Sequence, residues 1–264
     1  MIGKSMVFYL STHLERLEHE LDLITREGFY PEVRMANTDA LFKFSDSDLG
    51  RMRDEVERRG MSVFSHGPFF GLDIASMDRG ISEYTRDCLM RGIEVTASLG
   101  GKIMVMHTGY LPYFSRGGRK HWFRNWGERI RPVVEEAEKR DVTIALENTW
   151  DDKPEILLRL ADIIPDYRFS ICLDTGHINC FSRVSLQGWW DKVGGRVEVL
   201  HLHDNDGLSD DHLPAGRGIF DFRNLAGKLS EIDKLPLLDL EVDFIGAEES
   251  RSYLEGLFKE KGIK

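Results

Sequence analysis

Short, nearly continuous apolar runs alternate along this chain with longer stretches in which apolar residues recur every three or four positions. The runs predict strands at 5–10, 30–34, 61–65, 102–107, 142–147, 169–174, 197–202 and 237–243. The stretches between them predict helices near 13–26, 46–59, 80–99, 120–140, 154–163, 185–193, 221–231 and 247–260. In the first helix Leu14, Leu17, Leu21 and Ile24 mark one face, and Glu15, Arg16, Glu18 and Glu20 fill the other. Runs such as KIMVM and VTIAL show no polar alternation, as expected of parallel strands covered on both faces. Strict alternation of strand and helix predicts an α/β fold, a (β/α)8 barrel, as a single domain over residues 1–264. A doubly wound open sheet is the second choice. The longest loops, near 108–119 and 203–220, follow the fourth and seventh strands, on the face where a barrel carries its functional loops.

The strand ends favour the barrel. Six runs close on a metal-ligand type of residue: SVFSH at His66, KIMVMH at His107, VTIALE at Glu147, FSICLD at Asp174, VEVLH at His201 and LLDLE at Glu241. An ionisable group at the end of a buried strand is costly without a partner. Side chains from six strand ends converge only if the strands surround one axis.

Composition changes the picture little. The net charge of −10 disfavours a nucleic-acid partner without forbidding one, because a basic patch can sit on an acidic protein. Cys88, Cys172 and Cys180 show no paired spacing, which points to a reducing, cytoplasmic setting. The N-terminal SMVFYL is too short for a secretory core, and no run approaches the roughly 20 apolar residues of a membrane span, so no membrane partner is expected. The oligomeric state is left open.

Mixed imidazole and carboxylate donors suit a divalent metal such as Mn, Zn, Fe or Co. Besides the strand ends, CLDTGHIN offers His177 beside Asp174, where a tight turn would aim it into the site. VLHLHDNDGLSDDHLPAGRG offers His203, Asp204, Asp210 and His212. A lone His or Glu of this kind is more often structural, and SDDH has a solvated loop as its lesser alternative; the joint set is what carries the argument. Phe69, Phe70, Trp122 and Trp126 are candidate apolar walls around a sugar, though any one alone is more often packing. In HLPAGRGIFDF a glycine-rich turn precedes a helix capped by Asp221, where Arg217 could assist a phosphate; a plain turn is the equal alternative. The stretch YFSRGGRKHWFRNW, 113–126, is read as a lid or the start of an amphipathic helix in preference to a base-stacking surface.

The strings SHGPF, MHTG, LENT, LDTGH, HLHD, DDHLPAGRG and LEV, in this order between about 60 and 243, resemble the xylose-isomerase-like TIM barrel superfamily. That group includes sugar and sugar phosphate isomerases and epimerases, and the endonuclease-IV-type apurinic/apyrimidinic (AP) endonucleases. The resemblance implies two arrangements. In the isomerase pattern Glu147, Asp174, His201 and Glu241 hold one ion. Glu147 and Glu241 then exchange protons at the carbon beside a carbonyl through a metal-stabilised enediolate, and His177 orients a hydroxyl. In the endonuclease pattern His66 and His107 hold one ion with Glu147. Glu147 bridges to a second, held with Asp174, His201 and Glu241, and His177, Asp210 and His212 hold a third. One to three ions per chain are therefore expected.

Two departures weaken the nuclease reading. After the second strand the chain has MANTDALFKF in place of a basic segment with Asn, Pro, Arg and Trp. It also has His203 where that pattern has Asn. The expectation is a metal-dependent sugar or sugar phosphate isomerase or epimerase, with His203, Arg217, Phe69 and Trp122 touching substrate. An abasic-site phosphodiesterase is the alternative.

Overall fold

A computed structural model describes residues 6–263. The expected first strand begins at residue 5, outside the described residues, as do the ends of the expected 1–264 domain. The elements run β1 (Phe8–His13), α1 (Leu17–Arg26), β2 (Tyr30–Arg34), α2 (Thr38–Leu41), α3 (Asp46–Arg58), β3 (Phe64–His66) and α4 (Arg79–Ser98). Next come β4 (Ile103–His107), α5 (Arg116–Arg129), α6 (Arg131–Lys139), β5 (Thr143–Glu147), α7 (Pro154–Ala161) and β6 (Ser170–Asp174). The rest are α8 (Thr175–Phe181), α9 (Leu186–Val193), β7 (Val197–Leu202), α10 (Phe222–Leu229), β8 (Leu237–Leu240) and α11 (Phe244–Glu260).

All eight strands are parallel and close in sequence order. The closing pair is β1 with β8, where Tyr9 stands beside Asp239. That pairing removes the free edges a doubly wound sheet would keep. The expected barrel is what the chain forms.

Side chains alternate across each strand. Inside the barrel Tyr9, Phe64, Val105, Ala145, Cys172 and Val199 pack into an apolar floor. Two residues further along five of those strands come His66, His107, Glu147, Asp174 and His201. The same period that buries the floor therefore lifts the ligand-type residues onto its upper side. Outside, the strands meet the helices across one large core in which Trp126 and Trp189 are fully buried.

Helix starts follow local chemistry. Ser45 and Asp48 form a capping box on α3, Asp78 caps α4, and Asp221 caps α10 as expected. Such caps are worth about 1 kcal/mol each. The single helix expected over 120–140 is two. Pro132 at the start of α6 has no N–H to continue the ladder, so the axis breaks at Ile130. At the other end α5 begins at Arg116, where the Ser115 hydroxyl accepts from Gly118 N at 3.1 Å. Most of the basic, aromatic stretch 113–126 is thus helix.

Candidate metal centre

Glu147, at the end of β5, is the hub of the polar layer. Its Oε2 lies 3.2 Å from His66 Nε2 and 3.0 Å from His107 Nε2. Its Oε1 lies 3.3 Å from His177 Nδ1 and 3.4 Å from His201 Nδ1. His201 Nδ1 also faces Glu241 Oε1 at 3.6 Å and Asp174 Oδ2 at 3.8 Å. A second hub is Asp210, whose Oδ2 is 3.2 Å from His177 Nε2 and 3.3 Å from His212 Nε2. The nine residues expected as ligands are brought together around one barrel mouth.

The local fold explains their aim. Asp174 caps α8, accepting from His177 N at 2.7 Å, and this turns His177 back into the site. The turn needs Gly176, because a Cβ there would fall on the His203 imidazole. Asn148 clamps the same turn: its Oδ1 accepts from Asp174 N at 2.8 Å and its Nδ2 donates to Asp174 O at 3.1 Å. Asp204 organises the loop after β7 by accepting from Asn205, Gly216 and Phe220 N–H groups. His212 on that loop adopts φ of 49°, a left-handed conformation unusual for a side-chain-bearing residue. There its Nδ1 donates to Glu241 O at 2.7 Å.

The histidine tautomers test whether a cation fits. Nδ1 of His66, His177 and His212 lies 3.0, 2.8 and 2.7 Å from the carbonyls of Gly67, Asn148 and Glu241. A carbonyl only accepts, so each Nδ1 carries a proton. Each Nε2 then faces a carboxylate, as a bare lone pair if the ring is neutral. Lone pair against carboxylate is repulsive unless a proton or a cation lies between them.

The charge states show the same demand. Burial favours neutral histidines, yet Asp174, Asp210 and Glu147 hold His177 well above its ordinary range. Burial is likewise outweighed at His201 by Cys172, Glu241, Glu147 and Glu32, and at His212, chiefly by Asp210, which pushes it up to about 9. Glu147 and Glu241 are buried but held well below the carboxylate range, mainly by His107 and His201 for the first, and by His201 and Arg34 for the second. At His107 burial wins and the pKa is lowered.

Several donor groups lie close enough to share one ion: His66, His107 and Glu147; Asp174, His177 and His203; His203, His212 and Glu241; and Glu32, His201, Asp239 and Glu241. This nitrogen and oxygen set fits a divalent metal.

The expected substrate contacts fare unevenly. Phe69 lines the cavity above the hub, its ring 4.5 Å from that of His107. His203 is fully buried beneath the wall, stacked on His212 at 4.0 Å with Nε2 3.1 Å from Asp174. It sits among the ligand-type groups because strand alternation gives it the same face as His201. Trp122 lies behind the wall on α5: its Nε1 donates to Asp73 at 3.3 Å and its ring packs on Tyr110. Trp126 is fully buried, donating to Thr108 O at 3.1 Å. Arg217 is exposed and paired with Glu249 of α11, away from the cavity.

Sequence reasoning missed Glu32, Arg34 and Asp239. All three occupy inward positions, the first two in YPEVR and the third in LLDLE, where strand alternation marks them. Arg34 pairs with Glu241. Glu32 Oε1 stands 3.2 Å from His201 Nε2, out of line for a formal hydrogen bond. It missed Asp151 too, a buried carboxyl on the loop after β5.

Known proteins bear on this geometry. The chain is 28% identical over 235 residues to protein MJ1311 of Methanocaldococcus jannaschii, across 86% of this chain and 79% of that one. It is 23% identical over 178 residues to a probable endonuclease 4 of Mycobacterium leprae, across 62% of this chain and 64% of that one. A crystal structure of a D-tagatose 3-epimerase-like protein superposes with a TM-score of 0.84 at 26% identity, across 97% of this chain and 98% of that one. The family model described as xylose isomerase-like TIM barrel matches residues 29–257, and the chain belongs to that family.

Proposed function

We propose that this protein is a divalent-metal-dependent sugar isomerase or epimerase that moves a proton at the carbon beside a carbonyl. The observation that carries the reading is the pair Glu147 and Glu241. Both carboxylates converge on His201 Nδ1, at 3.4 and 3.6 Å, and both line one cavity with the imidazoles. Similarity to the D-tagatose 3-epimerase-like protein supports the same class.

Glu147, Asp174, His201 and Glu241 would hold the ion. Bound there, it would act as a Lewis acid on substrate oxygen and make the neighbouring C–H more acidic. The chain's own groups do the rest. Glu147 and Glu241 are ionised, so either accepts the proton from carbon; the other takes a proton from solvent and returns it to the opposite side, and the first releases its own to solvent to reset the site. Arg34 fixes the position of Glu241. His177, held by Asn148 O and Asp210, orients a substrate hydroxyl. Phe69 shields the reacting end from water.

Exchange of solvent deuterium into a panel of ketohexoses and keto-glycosides tests this. Glu241→Gln should lower exchange by about 100-fold or more, the usual contribution of a general base. Unchanged exchange in that variant sinks the role.

The second reading is a phosphodiesterase acting at abasic sites. It is favoured by the convergence of all nine expected ligand residues, including His66, His107, Asp210 and His212, beyond the four that isomerase chemistry uses. Against it, Arg34 is the one Lys or Arg among the cavity's lining residues, and Glu241 takes its charge. Efficient incision of abasic duplex DNA by the metal-loaded protein would overturn the isomerase reading.

A further inference from the structure

We propose that the substrate is a neutral keto sugar bearing a flat apolar substituent, such as an aryl glycoside with a ring carbon oxidised to a ketone, and not a free or phosphorylated monosaccharide. This rests on the isomerase reading and narrows its substrate class.

The first ground is size. The cavity over the ligand cluster measures about 740 Å³. That lies in the upper part of the roughly 300–1,000 Å³ that enclose whole drug-sized ligands. A monosaccharide set on the cluster would leave much of this space to water.

The second ground is the way polarity is divided. The ligand-type side chains come from the strand ends and the loop after β7. The β3–α4 loop, α4, β4 and the β4–α5 loop supply a largely apolar arm of the lining, with Pro68, Ile74, Leu89, Met106, Tyr110 and Leu111. Two of its polar groups make hydrogen bonds within the protein. Asp73 Oδ1 accepts from Ala75 N at 2.9 Å and from Trp122 Nε1 at 3.3 Å. The Thr85 hydroxyl donates to Ile81 O at 2.7 Å and accepts from Asp73 N at 3.1 Å. The arm therefore offers a ligand apolar surface and few hydrogen bonds, which suits a ring better than a polyol tail.

Two aromatic pairs border the same cavity. Phe69 and Phe70 have ring centroids 4.2 Å apart, and Trp150 and Phe181 are 4.3 Å apart. Phe70 is 69% exposed at the rim of this cavity, where its ring is free to cover a ligand.

Charge decides against phosphate. Arg34 is the single Lys or Arg lining the cavity, and it is committed to Glu241. Asp73, Glu147, Asp210 and Glu241 line the same space. The ion and the imidazoles of His177 and His212 balance the last three, so beyond the ligand cluster a phosphate ester would meet Asp73 and no free Lys or Arg.

The experiment is calorimetric titration of the manganese-loaded full chain with methyl β-glucoside, phenyl β-glucoside and glucose 6-phosphate. Phenyl glucoside should bind about tenfold tighter than methyl glucoside, the gain expected when one ring leaves water. Glucose 6-phosphate should bind no tighter than methyl glucoside. Leu89→Trp fills the arm and should erase the phenyl preference. Phe70→Ala, at an exposed position that leaves the core intact, should reduce it. Equal binding of the two glucosides, tightest binding of the phosphate, or a preference that survives both substitutions overturns the proposal. Binding is read without turnover. A phenyl preference with no solvent exchange in any sugar refutes the proton-transfer reading and leaves the aryl subsite standing.

Discussion

Asp151 sets up a measurable conflict between burial and charge. The residue is 1% exposed, one carboxyl oxygen accepts from Thr149 N at 3.2 Å, and the other has no partner. Burial pushes its pKa up to about 7 from the ordinary 3.8. The unfolded chain loses this proton near the ordinary value, and the folded chain keeps it until about neutral pH. Between those limits unfolding releases a proton, so stability falls as pH rises; outside them Asp151 contributes no slope. The whole displacement corresponds to about 4 kcal/mol. Asp151→Asn keeps an acceptor for Thr149 N and removes the charge. Urea unfolding of the ion-free protein should show the variant more stable than the parent by about 4 kcal/mol at pH about 8, with the gap closing toward pH about 4. Parallel stability curves across that range would refute the claim that Asp151 is held neutral by burial. Such a cost is tolerable where it fixes a functional loop, and this loop carries Asn148 to the Asp174 turn and Trp150 to the cavity.

Glu32→Gln should weaken metal binding by about 10–100-fold while leaving the four expected ligands in place, because it loosens the group facing the outer nitrogen of His201. Competition with a chromophoric chelator reads this, and unchanged affinity would remove Glu32 from the metal argument. Metal loading should also release protons. His201, held well above its ordinary range, is protonated at neutral pH in the ion-free protein and must become neutral to ligate, while His177 and His212, the first held well above its ordinary range and the second near 9, lie close enough to the ion for its charge to favour their neutral forms. This contribution is fully present below the ordinary histidine value and fades as pH rises through the raised ones. Calorimetry of zinc binding in buffers of different ionisation enthalpy counts the protons, and release that does not decline toward pH about 10 counts against the assignment.

The barrel was legible because most strands obeyed a rule with a short range. Apolar runs marked strands buried on both faces, and period two placed Val105 with His107 and Ala145 with Glu147 on one inward face. What escaped depended on contacts distant in sequence. Trp122 carried no signal that its helix would turn it behind Tyr110, onto Asp73. Arg217 was read for a phosphate, and its side chain went to Glu249, on a helix later in the chain. The short helix α8 was read as a turn, since its start depends on Asp174 serving both as strand end and as cap. Pro132 was different: its local signal was present, and it sets the break between α5 and α6.

Glu32 and Asp239 show why the polar layer is deeper than the strand ends suggested. Phe64, Val105, Ala145, Cys172 and Val199, each two residues before a ligand-type group, are apolar. Before Arg34 and Glu241 the corresponding positions hold Glu32 and Asp239, fully buried, with all four carboxyl oxygens unpartnered. Burial and the nearby Glu32 raise the Asp239 pKa well above its ordinary value, so this pair does not carry two full charges. Glu32 faces His201 Nε2, while His201 Nδ1 faces Glu147, Asp174 and Glu241. The negative charge of a Glu32 carboxylate 3.2 Å from Nε2, without a formal hydrogen bond, favours the proton on that nitrogen and leaves Nδ1 of the neutral ring as a lone pair directed at the cluster, the state a metal ligand requires. The break in the apolar floor thus lies under His201, the imidazole whose tautomer determines whether the two glutamates can share one ion.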